Sequence, residues 1–358
     1  MRRFSCVVTV LSAAVLGIGC GGGGGESELA AAPDDVEAPA TGTLRVFAYG
    51  DTVPDEMLDP FREANPEVDL KVATFDSNKA AAAKLAGGFE ADVVEVCTDE
   101  MEPLLARGLI RPLDPEAIAE FDKLAFSDAD EVRDESGEVL FVPASAGPHG
   151  LIADPAALGG EIDSYQALFD PANAGQVALE ATPLTAIAAA ALAIGLDDPM
   201  NLTDDEVEQA KQHLLEHRDN FRAFAESDSS MVNLFKSGEV VLADGGRGTT
   251  EAMADDGLPV EWVAPVEGAL SWVCGLAISS KAENTDAAYK LINYYASAEA
   301  QAISAEMGFV AMNPDALELL AEKFHDSADP RNLETAIAQT EPENADVYER
   351  AWQEVLAQ

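Results

Sequence analysis

The residues best suited to hold a charged group form the run Gly245-Gly-Arg-Gly-Thr249. Glycines let a ligand approach the backbone closely, and Arg247 with Thr249 could bind a carboxylate or a phosphate. The alternative is a turn whose arginine pairs with a neighbouring acid. The run is not a nucleotide-binding phosphate loop, because the lysine and the spacing of that motif are missing.

Thiol chemistry is confined to a few positions. The chain has four cysteines, and Cys6 and Cys20 lie close to its N-terminus. Cys97 and Cys274 could form one disulfide in an oxidising compartment, or they could remain two buried free thiols. A metal site would need His149 or acids nearby, and nothing has zinc-like spacing, so we expect no metal and no cofactor.

Catalytic motifs are not apparent in the sequence. We find no Gly-x-Ser-x-Gly run, no paired zinc histidines and no nucleophile–base arrangement. Acidic side chains are abundant, but their number reflects the overall composition and does not by itself indicate catalysis. A secreted enzyme is therefore the weaker alternative to a protein that binds a ligand without changing it.

The N-terminus predicts export and lipid anchoring. Met1-Arg-Arg gives a basic start, residues 6–18 are apolar but too short to span a bilayer, and Gly17-Ile-Gly-Cys20 resembles a bacterial lipobox. We expect residues 1–19 to be a signal peptide, Cys20 to be lipidated, and residues 20–42 to be a flexible linker. The alternatives are an ordinary cleaved signal or a signal anchor. The protein is then periplasmic or on the cell surface, held to the membrane through lipid only.

The net charge of the chain limits the kinds of partner that it could bind. The 358 residues include 66 Asp and Glu against 21 Lys and Arg, a formal net charge of −45. Such a field repels nucleic acid and anionic lipid headgroups, so we expect neither as a partner. The acids are spread along the whole chain, which favours a solvated surface suited to high salt. Steering of a cationic ligand is the alternative.

Alternating and helical periodicities place the elements. Strands are predicted at 43–49, 68–75 and 92–97, and helices at 54–65, 79–87 and 101–107, with Ser77-Asn78 as an N-cap. This β-α-β-α-β order predicts a parallel sheet with helices on both faces. Further segments follow: strands at 238–243, 260–264 and 272–278, and helices at 186–193, 204–215, 285–295 and 298–307. The length suggests two lobes.

Several strings together resemble one family, the periplasmic spermidine/putrescine-binding proteins of ATP-driven (ABC) importers. The most telling is Val260-Glu-Trp-Val-Ala-Pro-Val-Glu-Gly-Ala-Leu-Ser-Trp-Val-Cys-Gly-Leu-Ala-Ile278, followed by Gly308-Phe-Val-Ala-Met-Asn-Pro314. Ser164-Tyr-Gln-Ala-Leu-Phe-Asp-Pro171 and Gly108-Leu-Ile-Arg-Pro-Leu-Asp114 fit the same template. The resemblance extends from Thr43 to about Leu320.

The resemblance implies an α/β fold of the two-lobe periplasmic binding protein type (type II), each lobe a sheet flanked by helices, with ligand in the cleft between them. It implies crossings near Ala144-Ser145, Val273-Cys274 and Pro314-Asp315. Lobe 1 would be 43–144 plus 274–314, and lobe 2 would be 145–273 plus 315–358. The implied partners are a permease, an ATPase and a small-molecule ligand, and a monomer is expected.

The resemblance also assigns cleft positions. Aromatic rings and carboxylates hold the amine in that family. The corresponding positions here are Tyr49, Cys97, Thr98, Asp99, Thr182, Thr185, Gly245, Trp272, Cys274 and Phe309. Three amine-binding acids are missing from this set, with Asp99, Asp244 and Glu180 as substitutes.

The ligand therefore stays open at this point. Losing one partner of a buried charge pair costs about 2–5 kcal/mol, and micromolar binding is about −8 kcal/mol in total. Spermidine or putrescine is the expectation from the family, and a small anion or zwitterion bound by Arg247 is the alternative. A ligand sensor that reports to a receptor is a further alternative to an importer component.

Overall fold

The computed structural model describes residues 29–358 apart from residues 34, 37, 76, 100 and 135. The expected signal peptide, the expected lipid attachment at Cys20 and the first part of the expected linker lie outside the described residues. None of the described helices is long and apolar enough to cross a membrane.

The strands of the described residues form one mixed sheet. They are β1 (Gly42–Ala48), β2 (Val68–Thr74), β3 (Val93–Cys97), β4 (Ile110–Arg111), β5 (Val142–Ala153), β6 (Val177–Glu180), β7 (Phe221–Ala225), β8 (Leu242–Gly246), β9 (Glu261–Val263), β10 (Leu270–Ser279) and β11 (Ile337–Ala338).

The α-helices cover the sheet, with short 3-10 turns in the connections. They are α1 (Asp55–Ala64), α2 (Asn78–Ala86), α3 (Glu102–Leu105), α4 (Pro155–Leu158), α5 (Pro183–Ala193), α6 (Asp204–Glu216), α7 (Asp228–Ser237), α8 (Arg247–Asp255), α9 (Thr285–Ala296), α10 (Ala298–Glu306), α11 (His325–Ala328) and α12 (Ala345–Leu356).

The sheet runs in the order β2-β1-β3-β10-β5-β8-β6-β7. The first three strands are parallel, as the β-α-β-α-β pattern predicts, and so are β8, β6 and β7. Between these two parallel parts lie β10 and β5, which are antiparallel to each other, and β10 is antiparallel to β3 and β5 to β8. These two long strands belong to both halves of the molecule and connect them.

Local chemistry explains where helices begin. The Ser77 hydroxyl accepts from Ala80 N at 3.2 Å, which confirms the predicted N-cap of α2. Thr203 and Glu206 form a capping box that starts α6. The strand predicted at 238–243 is wrong by several residues, because Gly238 in the left-handed conformation ends α7 and β8 begins only at Leu242.

Buried apolar side chains form separate cores on the two sides of the molecule. The core of what we call the first lobe draws on residues 30–146 and 273–312 with Leu333. The cores of the second lobe draw on residues 151–270 and on α12. The side chains of 316–328 pack with Ala305 and Ala311 beside α10, next to the first lobe.

This packing differs from the expected third crossing near Pro314-Asp315. Lys123 of the first lobe bonds Asp315 at 2.8 Å, and the backbone of Ala311 bonds Ala328 at 2.9 Å. The chain turns toward the second lobe only between Leu333 and β11, which pairs with β10 at Leu270. The other two expected crossings fall within β5 and β10, and the full division into lobes remains a proposal.

The last part of the expected linker is not free of the first lobe. Ala30 is fully buried, and its carbonyl oxygen accepts from the Tyr289 hydroxyl at 3.1 Å. Lys290 donates to the carbonyl oxygen of Val36 at 2.9 Å. Small alanines let this segment lie against α9, so the expectation of a flexible linker does not hold at Ala30 and Val36.

Candidate functional site

A cavity of about 1090 Å³ lies between the two lobes and is lined by residues of both. It sits where β5 and β10 pass from one lobe to the other, with the first residues of α5, α7 and α8 on the side of the second lobe. Ligand sites in proteins are concave spaces of this order, about 300–1,000 Å³.

Nine of the eleven predicted ligand residues line this cavity. They are Tyr49, Cys97, Asp99, Thr182, Thr185, Arg247, Trp272, Cys274 and Phe309. Thr98 and Gly245 are not among the lining residues. The Thr98 hydroxyl donates to the carbonyl oxygen of Gln339 at 2.9 Å, and the carbonyl oxygen of Gly245 accepts from Trp262 at 3.2 Å.

Cys97 and Cys274 are joined by a disulfide on the cavity wall. They are opposite residues in the antiparallel pairing of β3 with β10, although 177 residues separate them in sequence. The bond therefore ties together the strand that ends the first lobe's parallel sheet and the strand that crosses into the second lobe.

Aromatic rings form two parts of the wall. Trp272 and Phe309 meet edge to face with ring centroids 5.9 Å apart. The Trp272 ring lies against Gly147 of the neighbouring strand, where any Cβ would come within 2.8 Å of the ring. On the first lobe, the Tyr49 hydroxyl accepts from Asn78 at 3.1 Å and its ring packs on Phe75. Such faces suit an alkyl chain or an ammonium group.

Arg247 already has carboxylate partners. Its Nε bonds Glu251 on the same helix at 2.8 Å, and its Nη2 bonds Asp326 of α11 at 2.8 Å. Burial would lower the pKa of Arg247, but the hydrogen bonds to Asp326 and Glu251 outweigh it and raise the pKa. A ligand anion would have to displace one of these carboxylates, so this geometry gives the Arg247 alternative little support.

The residue after Arg247, Gly248, lies close to the backbone of Gly308 on the cavity wall. A Cβ on Gly248 would lie 2.7 Å from the carbonyl oxygen of Gly308, a residue whose own φ is +99°. Only glycine fits at both places. The run around Arg247 is thus where α8 of the second lobe touches the end of α10.

Two acids of the first lobe were not singled out from the sequence. Glu95 of β3 is 1% exposed, and Asp51 lies in the loop before α1. Burial raises the pKa of Glu95 to about 8, although hydrogen bonds from Tyr49 N and from the Thr52 hydroxyl oppose the rise. Enclosure in the cavity also raises the pKa of Asp51, and the charge of Asp228 from the second lobe adds to it. The sequence feature that could have identified Glu95 is an acid inside an otherwise apolar strand.

The second lobe presents a histidine between two acids. His149 Nε2 lies 3.4 Å from Asp244 Oδ2, and its Nδ1 lies 3.6 Å from Glu180 Oε2. Burial disfavours the imidazolium, but the Asp244 hydrogen bond and the Glu180 charge outweigh it and raise the pKa of His149. Burial raises the pKa of Glu180, against the opposing effect of His149. Asp244 also accepts from Glu180 N at 2.7 Å.

The cavity lining is strongly negative. Its basic side chains are Lys79, Arg247 and His149, of which Arg247 is paired with Glu251 and Asp326 and His149 lies between Asp244 and Glu180. Its carboxylates are Asp51, Glu95, Asp99, Glu180, Asp228, Glu341, Asp346 and Glu349. A surplus of acidic over basic side chains in an enclosed space favours a cationic ligand.

Gln339 is a further lining residue that the sequence did not reveal. It is 3% exposed, and its Nε2 has no hydrogen-bond partner in the described part of the chain. Its backbone N donates to Ser271 O at 2.7 Å, and its carbonyl oxygen accepts from the Thr98 hydroxyl at 2.9 Å. A buried polar atom without a partner at the edge of a cavity indicates a contact with ligand or water. Within the described residues, no three or more His, Cys, Asp or Glu side chains are placed so that they could hold a metal ion.

Comparison with known proteins agrees with this geometry. The family model for bacterial extracellular solute-binding proteins matches residues 56–331. The spermidine/putrescine-binding periplasmic protein 1 of Haemophilus influenzae is 26% identical over 90% of this chain and 89% of its own. Relatives of this kind are binding proteins of ABC transporters and not enzymes, as the absence of catalytic motifs predicted.

Solved structures share the fold. The spermidine/putrescine ABC transporter substrate-binding protein PotD of Streptococcus pneumoniae superimposes with a TM-score of 0.76 at 20% identity, covering 88% of this chain and 98% of that one. The periplasmic binding protein MotA of A. tumefaciens B6, solved with glucopine, superimposes with a TM-score of 0.72 at 20% identity, covering 88% of this chain and 99% of that one. The predicted two-lobe α/β fold is confirmed.

Proposed function

The chain belongs to the family of bacterial extracellular solute-binding proteins, and from that premise we propose that its ligand is a small organic polycation of the polyamine type. The ligand is captured between the lobes and released unchanged to an ABC permease and its ATPase. The observation that carries the proposal is the surplus of carboxylates around the cavity, combined with the aromatic walls at Tyr49 and Trp272.

The arrangement supports a ligand with more than one ammonium group. Two acids of the first lobe, Glu95 and Asp51, line the cavity, and Asp51 and Asp228 of the second lobe repel each other. A cation between them relieves that repulsion and favours closure, because it gains from both sides only when the lobes are together. These acids take the place of those that the family pattern lacks in this chain.

Lipid attachment at Cys20 and a periplasmic or cell-surface position belong to the same proposal. A binding protein that serves a membrane permease gains from being held near it, since tethering raises its effective concentration. The lipobox-like run before Cys20 supports this. Radiolabelled palmitate incorporation into wild type and its absence from Cys20→Ser would test it.

The ligand proposal is tested by thermal denaturation of the purified protein against polyamines, amino acids and organic acids, at low and high salt. Saturating ligand at about 100 times its Kd adds about 2.7 kcal/mol of stability. We expect spermidine or putrescine to raise the Tm and Trp272→Ala to abolish that rise. An increase with organic acids alone, lost in Arg247→Ala, would instead establish the anion alternative.

A further inference from the structure

Glu95 is a buried carboxylate in the middle of an apolar strand. Its neighbours Val94 and Val96 point to the opposite face, because side chains alternate along a strand. Glu95 shares its face with Cys97, and both line the cavity. A fully buried acid in a core strand is costly unless something pairs with it. The fold needs no acid here for strand pairing, which the backbone provides.

Both carboxylate oxygens of Glu95 are held in place by hydrogen bonds. Oε2 accepts from the backbone of Tyr49 at 2.9 Å, and Oε1 accepts from the Thr52 hydroxyl at 2.8 Å. Two anchored oxygens orient the carboxyl group beside the ring of Tyr49 while leaving lone pairs for another donor. The group is therefore preorganised rather than mobile.

Among the described residues, no cation acts on Glu95. The titratable groups that do act on it are the carboxyl of Asp51, which repels it, and the phenol of Tyr295. The Tyr295 hydroxyl donates to Thr52 O at 2.8 Å, and burial raises the pKa of Tyr295 well above its usual range. No described ion pair includes Glu95. The described residues therefore give Glu95 no counter-charge.

We propose that Glu95 binds an ammonium group of the ligand in the first lobe, and that binding releases the proton that Glu95 carries when the cleft is empty. The inference rests on the proposed function and names its specificity-determining residue. The exchange is balanced: the carboxylic acid loses its proton to solvent, and the resulting carboxylate pairs with the ammonium group, which keeps all of its own protons. Without a cation, the protonated form avoids a buried charge.

Isothermal titration calorimetry with spermidine at pH 7 tests this, in two buffers with different ionisation enthalpies. The apparent enthalpy then reports the protons released per ligand. Since the pKa of Glu95 lies at about 8, we expect Glu95 to release between about 0.5 and 1 proton. Glu180 can add to the total, so the decisive quantity is wild type minus Glu95→Gln. That variant should release correspondingly fewer protons and bind at least about 30-fold more weakly.

Thr52→Val is the matched control, because it removes one hydrogen bond to Glu95 and keeps the acid. It should bind within about tenfold of wild type and still release the proton. Equal losses in Thr52→Val and Glu95→Gln would show a purely structural role. A wild type that binds spermidine without releasing a proton overturns the inference, even if Glu95→Gln fails to fold. A wild type that binds no amine overturns the proposed function as well.

Discussion

Arg247 and Asp326 form an ion pair that joins the two lobes. The guanidinium at the start of α8 in the second lobe lies 2.8 Å from the carboxylate of Asp326. Asp326 belongs to α11, which is packed beside α10 and the first lobe. The Arg247 side chain is 20% exposed and also lies over the ring of Trp262. The pair lies next to the Gly248–Gly308 contact, because Gly248 follows Arg247 in the chain.

The first prediction concerns this bridge. Asp326→Asn should weaken ligand binding by no more than about fivefold, since an exposed ion pair contributes about 0–1 kcal/mol and Asp326 is 84% exposed. Arg247→Ala should have a larger effect through lost packing on Trp262. Stopped-flow dissociation kinetics should assign both effects to faster ligand release. If Asp326→Asn instead strengthened binding of an organic acid, Arg247 would be an anion site and not a bridge.

A second prediction concerns Gly248. Alanine there would place a Cβ 2.7 Å from the carbonyl oxygen of Gly308, which is backbone and cannot turn away. Gly248→Ala should therefore hold the lobes apart and cost about 1–3 kcal/mol of closure free energy, a loss of about 5- to 150-fold in affinity. Gly160→Ala is the control, since nothing lies within 4 Å of the added atom. Small-angle scattering with ligand should show a larger radius of gyration for Gly248→Ala only. If Gly248→Ala bound ligand with wild-type affinity, the expected clash with Gly308 would be contradicted.

The third prediction concerns the disulfide. Joining Cys97 to Cys274 closes a loop of 177 residues, and loss of a native disulfide commonly costs about 2–5 kcal/mol. Reduction should lower the midpoint of urea unfolding, and the double variant Cys97→Ser with Cys274→Ser should match the reduced wild type. An unchanged midpoint on reduction, with free thiols verified by labelling, would show that the bond contributes nothing to stability.

The fourth prediction is a pH dependence of stability. The pKa of Glu95 rises from an ordinary 4.5 to about 8 in the folded protein. Between those values the folded state holds a proton that the unfolded state has lost. The free energy of unfolding of the ligand-free protein should therefore fall as pH rises through this window. The raised pKa values of Asp51, Glu180 and His149 act in the same direction.

Urea unfolding at intervals of about 0.5 pH units between about pH 4.5 and 8.5 measures how the free energy of unfolding depends on pH. Glu95→Gln should flatten the slope, because glutamine does not titrate. Saturating ligand should also reduce it in wild type, since the bound cation stabilises the carboxylate. A slope that is identical in wild type and Glu95→Gln would mean that Glu95 is already ionised in the empty cleft.

The amino-acid sequence by itself determined the local elements and the family. Alternation and helical spacing placed β1, β2, β3 and the helices between them within a residue or two, because these patterns depend on neighbours a few positions away. The strings around Trp272 and Phe309 were enough to indicate a two-lobe binding fold. At Arg247 the structure shows the alternative of an arginine paired with acids of the chain, Glu251 and Asp326, and the sequence did not identify Asp326 as a partner.

Only the tertiary structure decided which distant residues meet. Cys97 faces Cys274 because β10 returns antiparallel to β3, and Arg247 meets Asp326 because residues 316–328 pack beside α10. Glu95 lines the cavity because β3 adjoins a crossing strand. In a chain with 66 acids, neither composition nor spacing distinguishes the few enclosed carboxylates from the many solvated ones. That distinction depends on burial, which long-range strand pairing creates.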